Sequence, residues 1–390
     1  MMSDNSVEFA IFLIFTGAAV FATIALYSRL AIIVGYILLG MILGPWGLSL
    51  ISDPEQIKDI SGIGIIFLLY LLGLDLLPQQ LMKMLGEAMT ITIISSILFF
   101  VFGLSIGLVF GYELVEVLLI GATMMFSSTI IGLKLLPTTT LHHRHTGQII
   151  ISVLLIQDLI AIIVLLLLQG FHRGDNMVTG VILQLLSLPL LLLIIYLFEK
   201  FILVKLIARF DRIHEYIFLI AIGWCMGIAE LASVIGLSHE IGAFLAGVAL
   251  ASSPIALFIT ERLKPLRDFF LVIFFFSLGA GFNMSMLDQV FIPAIFLAVV
   301  VLVMKPLVFE FLLFKADEIK NISREVGIRL GQVSEFSLLI TVLALESGYI
   351  GEVVSTMLQL TTLITFILSS YIIVLRYPTP IAISDRLRRD

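Results

Sequence analysis

Asp158 lies in the apolar run Leu154-Leu-Ile-Gln-Asp-Leu-Ile-Ala-Ile162 and is the only acid between Gly147 and Gly170. It stands about twelve residues into a stretch long enough to cross a bilayer, about 18 Å deep at 1.5 Å per residue. A carboxylate there costs roughly 2.5–3.5 kcal/mol on insertion scales, so it is kept by pairing, hydration or use. Gln157 beside it is a neutral amide that can donate to the carboxylate or lend its oxygen to a cation. Three consecutive hydroxyls, Ser127, Ser128 and Thr129, occur within Gly121-Ala-Thr-Met-Met-Phe-Ser-Ser-Thr-Ile-Ile-Gly132. A second glycine-bracketed segment, Gly327-Ile-Arg-Leu-Gly-Gln-Val-Ser-Glu-Phe-Ser337, supplies Arg329, Gln332, Ser334 and Glu335. Lys305, in Val301-Leu-Val-Met-Lys-Pro306, is similarly deep, and Pro306 deprives its helix of one donor and predicts a kink.

Together these residue types suit one kind of chemistry. A buried carboxylate with hydroxyls and freed backbone carbonyls makes a hard oxygen site for a monovalent cation at Asp158. The proton and the cation compete for that carboxylate, and both cannot neutralise it at once. If only loaded forms cross, the result is obligatory exchange, with 1:1 electroneutral exchange the simplest stoichiometry. Arg329 and Glu335 flank a presumed helix break and would balance the half-helix ends. Lys305 would pair with Asp158, take a direct part in transport, or snorkel to an interface about 12 Å away. Glu230 and Glu310 lie nearer to span ends and read as interfacial. The cluster His142-His143-Arg144-His145 reads as a solvated loop, with no carboxylate or thiol beside it in the chain. No catalytic constellation and no cofactor are expected, only the transported cation and protons.

The elements that position these groups are membrane helices. Of 390 residues 60% are apolar and 13% charged, against roughly 45–50% and about 25% in soluble domains, so soluble enzyme classes are excluded. The apolar residues fall in runs of the length a helix needs to span a bilayer. Thirteen spans are expected, at 7–27, 30–48, 58–77, 86–110, 114–134, 146–169, 178–206, 214–234, 240–258, 267–283, 288–313, 323–345 and 350–374. The single cysteine, Cys225, lies inside an apolar run, so no intrachain disulfide forms. The N-terminal residues Met1 to Asn5 carry no basic residue, which favours a retained first span over a signal peptide. With this segmentation eighteen Lys and Arg fall on the side opposite the N-terminus, and two, Lys58 and Arg173, fall with it. The positive-inside rule then places the N-terminus outside and the C-terminus in the cytoplasm, in a cell (inner) membrane.

Val34 to Leu43 overlays Ile241 to Leu250 at an offset of 207, matching Gly35 to Gly242 and Gly40 to Gly247. Nearly the same offset puts Gly73 on Gly279, and 207 again puts Ser127 on Ser334. That offset equals seven spans, an odd number, so equivalent spans run in opposite directions. The whole chain is therefore expected to be one transmembrane domain: repeat one over about 7–170, a linker helix over about 178–206, and repeat two over about 214–376. Such inverted repeats mark secondary transporters, with sites at midplane where interrupted helices meet. The glycines and hydroxyls of spans 5 and 12 place the interruptions there. A gated K⁺ efflux channel and a cation-coupled solute symporter are the alternative readings.

The chain resembles, over its whole length, the membrane domain of the Kef-type monovalent cation:proton antiporters of the second cation:proton antiporter family. The residues that carry the resemblance are Gly40-Met-Ile-Leu-Gly-Pro45, Gly73-Leu-Asp75, Ser127-Ser-Thr129, Gln157-Asp158, Gly236-Leu-Ser238, Gly242-Ala-Phe-Leu-Ala-Gly247, Lys305 and Ser334-Glu-Phe336. The resemblance implies a sodium/proton antiporter-like fold with crossing discontinuous helices, a homodimer, and K⁺ ahead of Na⁺ as the cation bound at Asp158. It also implies a core domain of crossing helices that moves against a dimerisation scaffold. Kef proteins carry a cytoplasmic nucleotide-binding domain after the last span. No soluble regulatory domain is expected in this chain: either it was removed or the protein lacks it, which leaves room for a cytoplasmic regulatory domain or subunit in trans, and no nucleic-acid partner is expected. The loop Thr260-Glu-Arg-Leu-Lys-Pro-Leu-Arg-Asp268 is not the acidic loop of glutathione-gated members, so that gating is not implied.

Overall fold

Apolar runs without internal water must satisfy their own backbone, and among the described residues every element longer than a single residue is helical. The computed structural model describes residues 7–51, 54–75, 87–137, 145–170, 177–210, 213–251, 253 and 256–380. The helices are α1 (Val7–Tyr27), α2 (Ile32–Leu43), α3 (Pro54–Asp75), α4 (Glu87–Val109), α5 (Leu114–Met124), α6 (Thr129–Lys134), α7 (His145–Gly170) and α8 (Met177–Phe198). A π turn, Glu199–Leu203, joins α8 to α9 (Val204–Arg209). There follow α10 (His214–Val234), α11 (His239–Ala251), α12 (Ala256–Ala280), α13 (Leu287–Lys315), α14 (Lys320–Arg329), α15 (Glu335–Glu346) and α16 (Glu352–Arg376).

Seven helical stretches among the described residues are long and apolar enough to cross a membrane alone. The expected span at 30–48 contains a helix of 12 residues, and the described part of 240–258 one of 13. For α2 the reason is local: Gly44 is extended (φ −71°, ψ −179°), as the residue before Pro45 must be to avoid a clash, and the helix stops at Leu43. The two shortest connections turn through Gly111 (φ +76°) and Gly348 (φ +71°), a left-handed conformation that favours glycine.

The helices fall into two compact units. The first holds α3, α8 to α11 and nearly all of α12. In it α3 and α11 pack backbone against backbone. A Cβ on Gly247 would stand 2.1 Å from the Tyr70 carbonyl oxygen, and one on Gly73 would stand 2.3 Å from that of Phe244. Trp224 donates to the Ala246 carbonyl at 3.0 Å, and Cys225 beside it is fully buried.

The second unit holds α2, α4 to α6, α13 to α16 and most of α7. Close approach here also runs through glycine: a Cβ on Gly279 would meet the Ile37 carbonyl at 2.0 Å, and one on Gly327 the Pro306 carbonyl at 2.6 Å. Phe99, Val153, Leu154, Phe309, Val326 and Leu330 form a buried core shared by α4, α7, α13 and α14. This core fixes α7, which carries Asp158, relative to α13, which carries Lys305. α13 runs from Leu287 to Lys315 through Pro306 as one helix.

Candidate functional site

The first interruption lies between Met124, the end of α5, and Thr129, the start of α6. The Ser128 hydroxyl caps α6 by accepting from the Ile131 N–H at 3.1 Å. Gln157 on α7 holds the gap from the side. Its Oε1 accepts from the Ser127 N–H at 3.0 Å, and its Nε2 donates to the Met125 carbonyl at 3.1 Å. Both ends of the amide serve the break, and among the described residues no hydrogen bond runs from Gln157 to Asp158. The reason is that the unwound backbone offers one orphan donor and one orphan acceptor, which a single amide matches.

The second interruption lies between Arg329, the end of α14, and Glu335, the start of α15. Ser334 caps α15, its hydroxyl accepting from Phe336 N–H at 3.1 Å. The two breaks are bonded to each other. Ser127 Oγ donates to the Leu330 carbonyl at 2.8 Å, Gln332 Nε2 donates to the Ser128 carbonyl at 3.3 Å, and Ser337 Oγ donates to the Thr123 carbonyl at 2.5 Å.

Charge is distributed over these ends as helix dipoles require. Lys305 is fully buried, and its Nζ donates to the Phe126 carbonyl at 2.5 Å, the Gln332 carbonyl at 3.2 Å and Ser127 Oγ at 3.4 Å. These carbonyls follow the C-terminal ends of α5 and α14. Lys305 neither snorkels nor hydrogen-bonds Asp158, because two orphan carbonyl groups hold its ammonium. Glu335 opens α15, and its Oε1 accepts from the Ile130 N–H in the first turn of α6 at 3.2 Å. Arg329 does not face the gap. Its guanidinium bonds Glu325 at 2.9 Å, the Leu135 carbonyl at 3.0 Å and the Pro378 carbonyl at 2.9 Å.

Asp158, midway along α7, is 3% exposed. Its Oδ1 stands 3.5 Å from the Thr129 hydroxyl, the limit of a hydrogen bond, and Glu335 is an electrostatic neighbour. The second carboxylate oxygen of Glu335 is buried without a hydrogen-bond partner among the described residues. The first break thus brings oxygens of Thr129, Asp158 and Glu335 near one another, while the Lys305 ammonium is bonded to carbonyls and the Ser127 hydroxyl.

Two features escaped the sequence reading. α16 grips the second break: Thr365 Oγ1 accepts from the Val333 N–H at 3.3 Å, and Ser369 Oγ donates to Gln332 Oε1 at 3.0 Å. The available signal was the spacing of Thr362, Thr365 and Ser369 at i, i+3 and i+7 of one helix. The other is His145, whose Nε2 lies 2.6 Å from Glu318 Oε1. The loop cluster therefore does meet a carboxylate, one 173 residues away in the chain. His142, His143 and Arg144 lie outside the described residues, as do Lys83, Arg173 and the tail arginines Arg386, Arg388 and Arg389.

The sodium/hydrogen exchanger transmembrane family matches residues 11–375. The chain belongs to this family. It is 29% identical over 323 residues to K(+) efflux antiporter 5 of Arabidopsis thaliana, covering 79% of this chain and 56% of that protein. It is also 29% identical over 340 residues to the glutathione-regulated potassium-efflux system protein KefC of Escherichia coli, covering 84% of this chain and 54% of that one. This exchanger-family chain thus spans a little over half the length of these curated relatives. In structure it is similar to the sodium proton antiporter MjNhaP1 of Methanocaldococcus jannaschii, with a TM-score of 0.69, 20% identity, and coverage of 93% of this chain and 94% of that one. That likeness establishes a shared fold.

Proposed function

We propose that the chain is the membrane domain of a secondary antiporter that exchanges a monovalent cation for protons by alternating access, with Asp158 as the competing site. The observation that carries this reading is the state of the Asp158 carboxylate. It is buried beside two paired helix breaks, yet among the described residues its carboxylate takes one hydrogen bond, from the Thr129 hydroxyl at 3.5 Å. A structural carboxylate at such depth would be held by several donors. This one retains acceptor capacity that a proton or a cation can fill in turn. Ser127, Ser128, Thr129 and Gln157 shape the first break around it, and Gln332, Ser334 and Glu335 the second. Lys305 neutralises the carbonyl ends that would otherwise compete with Asp158 for the cation.

Thirteen spans in two inverted repeats remain the topology of this reading. Repeat-equivalent packing supports it: Gly73 abuts the Phe244 carbonyl as Gly279 abuts that of Ile37, offsets of 206 and 207. Likewise Gly35 abuts the Phe21 carbonyl as Gly242 abuts that of Ile228, both at 207. The eighteen-to-two distribution of Lys and Arg supports an external N-terminus and a cytoplasmic C-terminus. K⁺ is placed ahead of Na⁺ because both relatives are named for potassium efflux. A homodimer completes the proposal.

The test is proton movement in proteoliposomes under an imposed pH gradient, with K⁺ and Na⁺ added separately and voltage clamped by ionophore. Proton flux driven by K⁺ at lower concentration than by Na⁺ is expected. Cation flux without coupled proton movement would replace the antiporter with a channel.

A further inference from the structure

Gln332 is fully buried, and its side chain and backbone touch four separate elements. Nε2 donates to the Ser128 carbonyl in the first break at 3.3 Å and to the Arg329 carbonyl at the end of α14 at 3.0 Å. Oε1 accepts from Ser369 on α16 at 3.0 Å, and the backbone carbonyl accepts from Lys305 on α13 at 3.2 Å. Both amide protons are spent on carbonyls, so a flipped amide would set its oxygen against two others. The Ser369 hydroxyl completes the one orientation that the carbonyls allow. One turn earlier, Thr365 takes the N–H of the next residue, Val333, while donating its own proton to the Thr362 carbonyl at 2.9 Å.

This arrangement has a counterpart. At the sequence offset of 207 α7 falls on α16, and in α7 it is Gln157 that takes the backbone N–H of the facing break. Asp158 itself corresponds to Thr365. Gln157 falls on Ile364 at this offset, so on the last helix the N–H of the second break is taken one position later, by the Thr365 hydroxyl. Moving Gln332 moves two things at the candidate site: the Ser128 carbonyl beside Thr129, and the Lys305 ammonium.

We propose that Ser369, acting through Gln332, is a positioning residue that sets the cation affinity of the Asp158 site. The inference rests on the site assignment above and extends it to a helix that contributes no group to the cation. Ser370 supplies the internal control, since its hydroxyl is buried with no hydrogen-bond partner among the described residues. Removing it deletes a buried oxygen and no bond.

The experiment is cation-dependent thermal stabilisation of the purified full chain in detergent, titrated with KCl and with NaCl, which requires no transport. Ser369→Ala is expected to raise the half-saturating K⁺ concentration by about tenfold, with Na⁺ changed by a different factor. Ser369→Thr should return it to within about threefold of wild type by restoring the donor. Ser370→Ala should titrate like wild type. A Ser369→Ala protein that titrates like wild type overturns the proposal, whether or not its cation-free unfolding temperature falls, because its role is then purely structural. A wild type that no cation stabilises overturns the site assignment as well, and that result is distinct from the first.

Discussion

Lys305 and Glu335 divide the ends of the two interrupted helix pairs between them. The Lys305 ammonium lies 2.5 Å from the Phe126 carbonyl and 3.2 Å from that of Gln332, while the Glu335 carboxylate accepts from the Ile130 N–H at 3.2 Å. Half-helices that end inside a bilayer present partial charges no water can screen. Here one cation covers carbonyl ends and one anion covers amide ends. Asp158 is left outside this compensation, which is why a transported charge can be cast as its partner.

Removing the Lys305 charge should therefore act first on stability. Lys305→Ala leaves two buried carbonyls without a charge-assisted donor, and a loss of about 2–4 kcal/mol is expected. Thermal unfolding in detergent measures it. Lys305→Gln, which keeps a donor, should recover part of the loss. Unchanged unfolding in Lys305→Ala would mean that water reaches these carbonyls.

Gln157→Leu removes both bonds that hold the first break. With the Ser127 N–H and Met125 carbonyl unpaired, a loss of about 1–3 kcal/mol is expected, together with faster hydrogen exchange at Ser127 and its neighbours. Hydrogen exchange read by mass spectrometry would localise the effect. A mutant protected like wild type at the break would show that the amide does not hold it.

The glycines separate into two groups that substitution should distinguish. Gly247→Ala forces a methyl to within 2.1 Å of the Tyr70 carbonyl, so α3 and α11 must move apart. Overpacking of this kind costs about 1–3 kcal/mol or more. Gly227→Ala, on α10, meets nothing within 4 Å and should be neutral or stabilising by up to about 1 kcal/mol. Expression and thermal unfolding of the two variants side by side make the comparison.

Local signals carried much of the architecture. The apolar run at 7–27 and the one at 214–234 coincide with α1 and α10. The hydroxyl triplet and the Gly331 to Ser334 segment lie at the interruptions. These features depend on residues close in sequence: glycine and hydroxyls weaken a helix where they stand. The partners of the charged groups were not legible, because Lys305 reaches Phe126 across 179 residues and Arg329 reaches Pro378 across 49. Gln157 misled for a related reason. Its neighbour in sequence is Asp158, but successive residues on a helix point about 100° apart. The role of α16 was hidden because buried serine and threonine in an apolar helix ordinarily bond back to their own turn, as Thr361 and Thr362 do at 2.8 Å.

The central claim is that the proton and the cation compete for Asp158. It is tested most directly by comparing wild type with Asp158→Asn in proteoliposomes, following cation-driven proton flux for K⁺ and Na⁺. The amide keeps the shape and can still meet the Thr129 hydroxyl, but it binds neither charge. Folded, correctly inserted Asp158→Asn protein with exchange reduced at least a hundredfold, to the level of empty vesicles, is the predicted result (about 2.7 kcal/mol or more). Coupled exchange that persists in Asp158→Asn would contradict the account and place the competing site elsewhere.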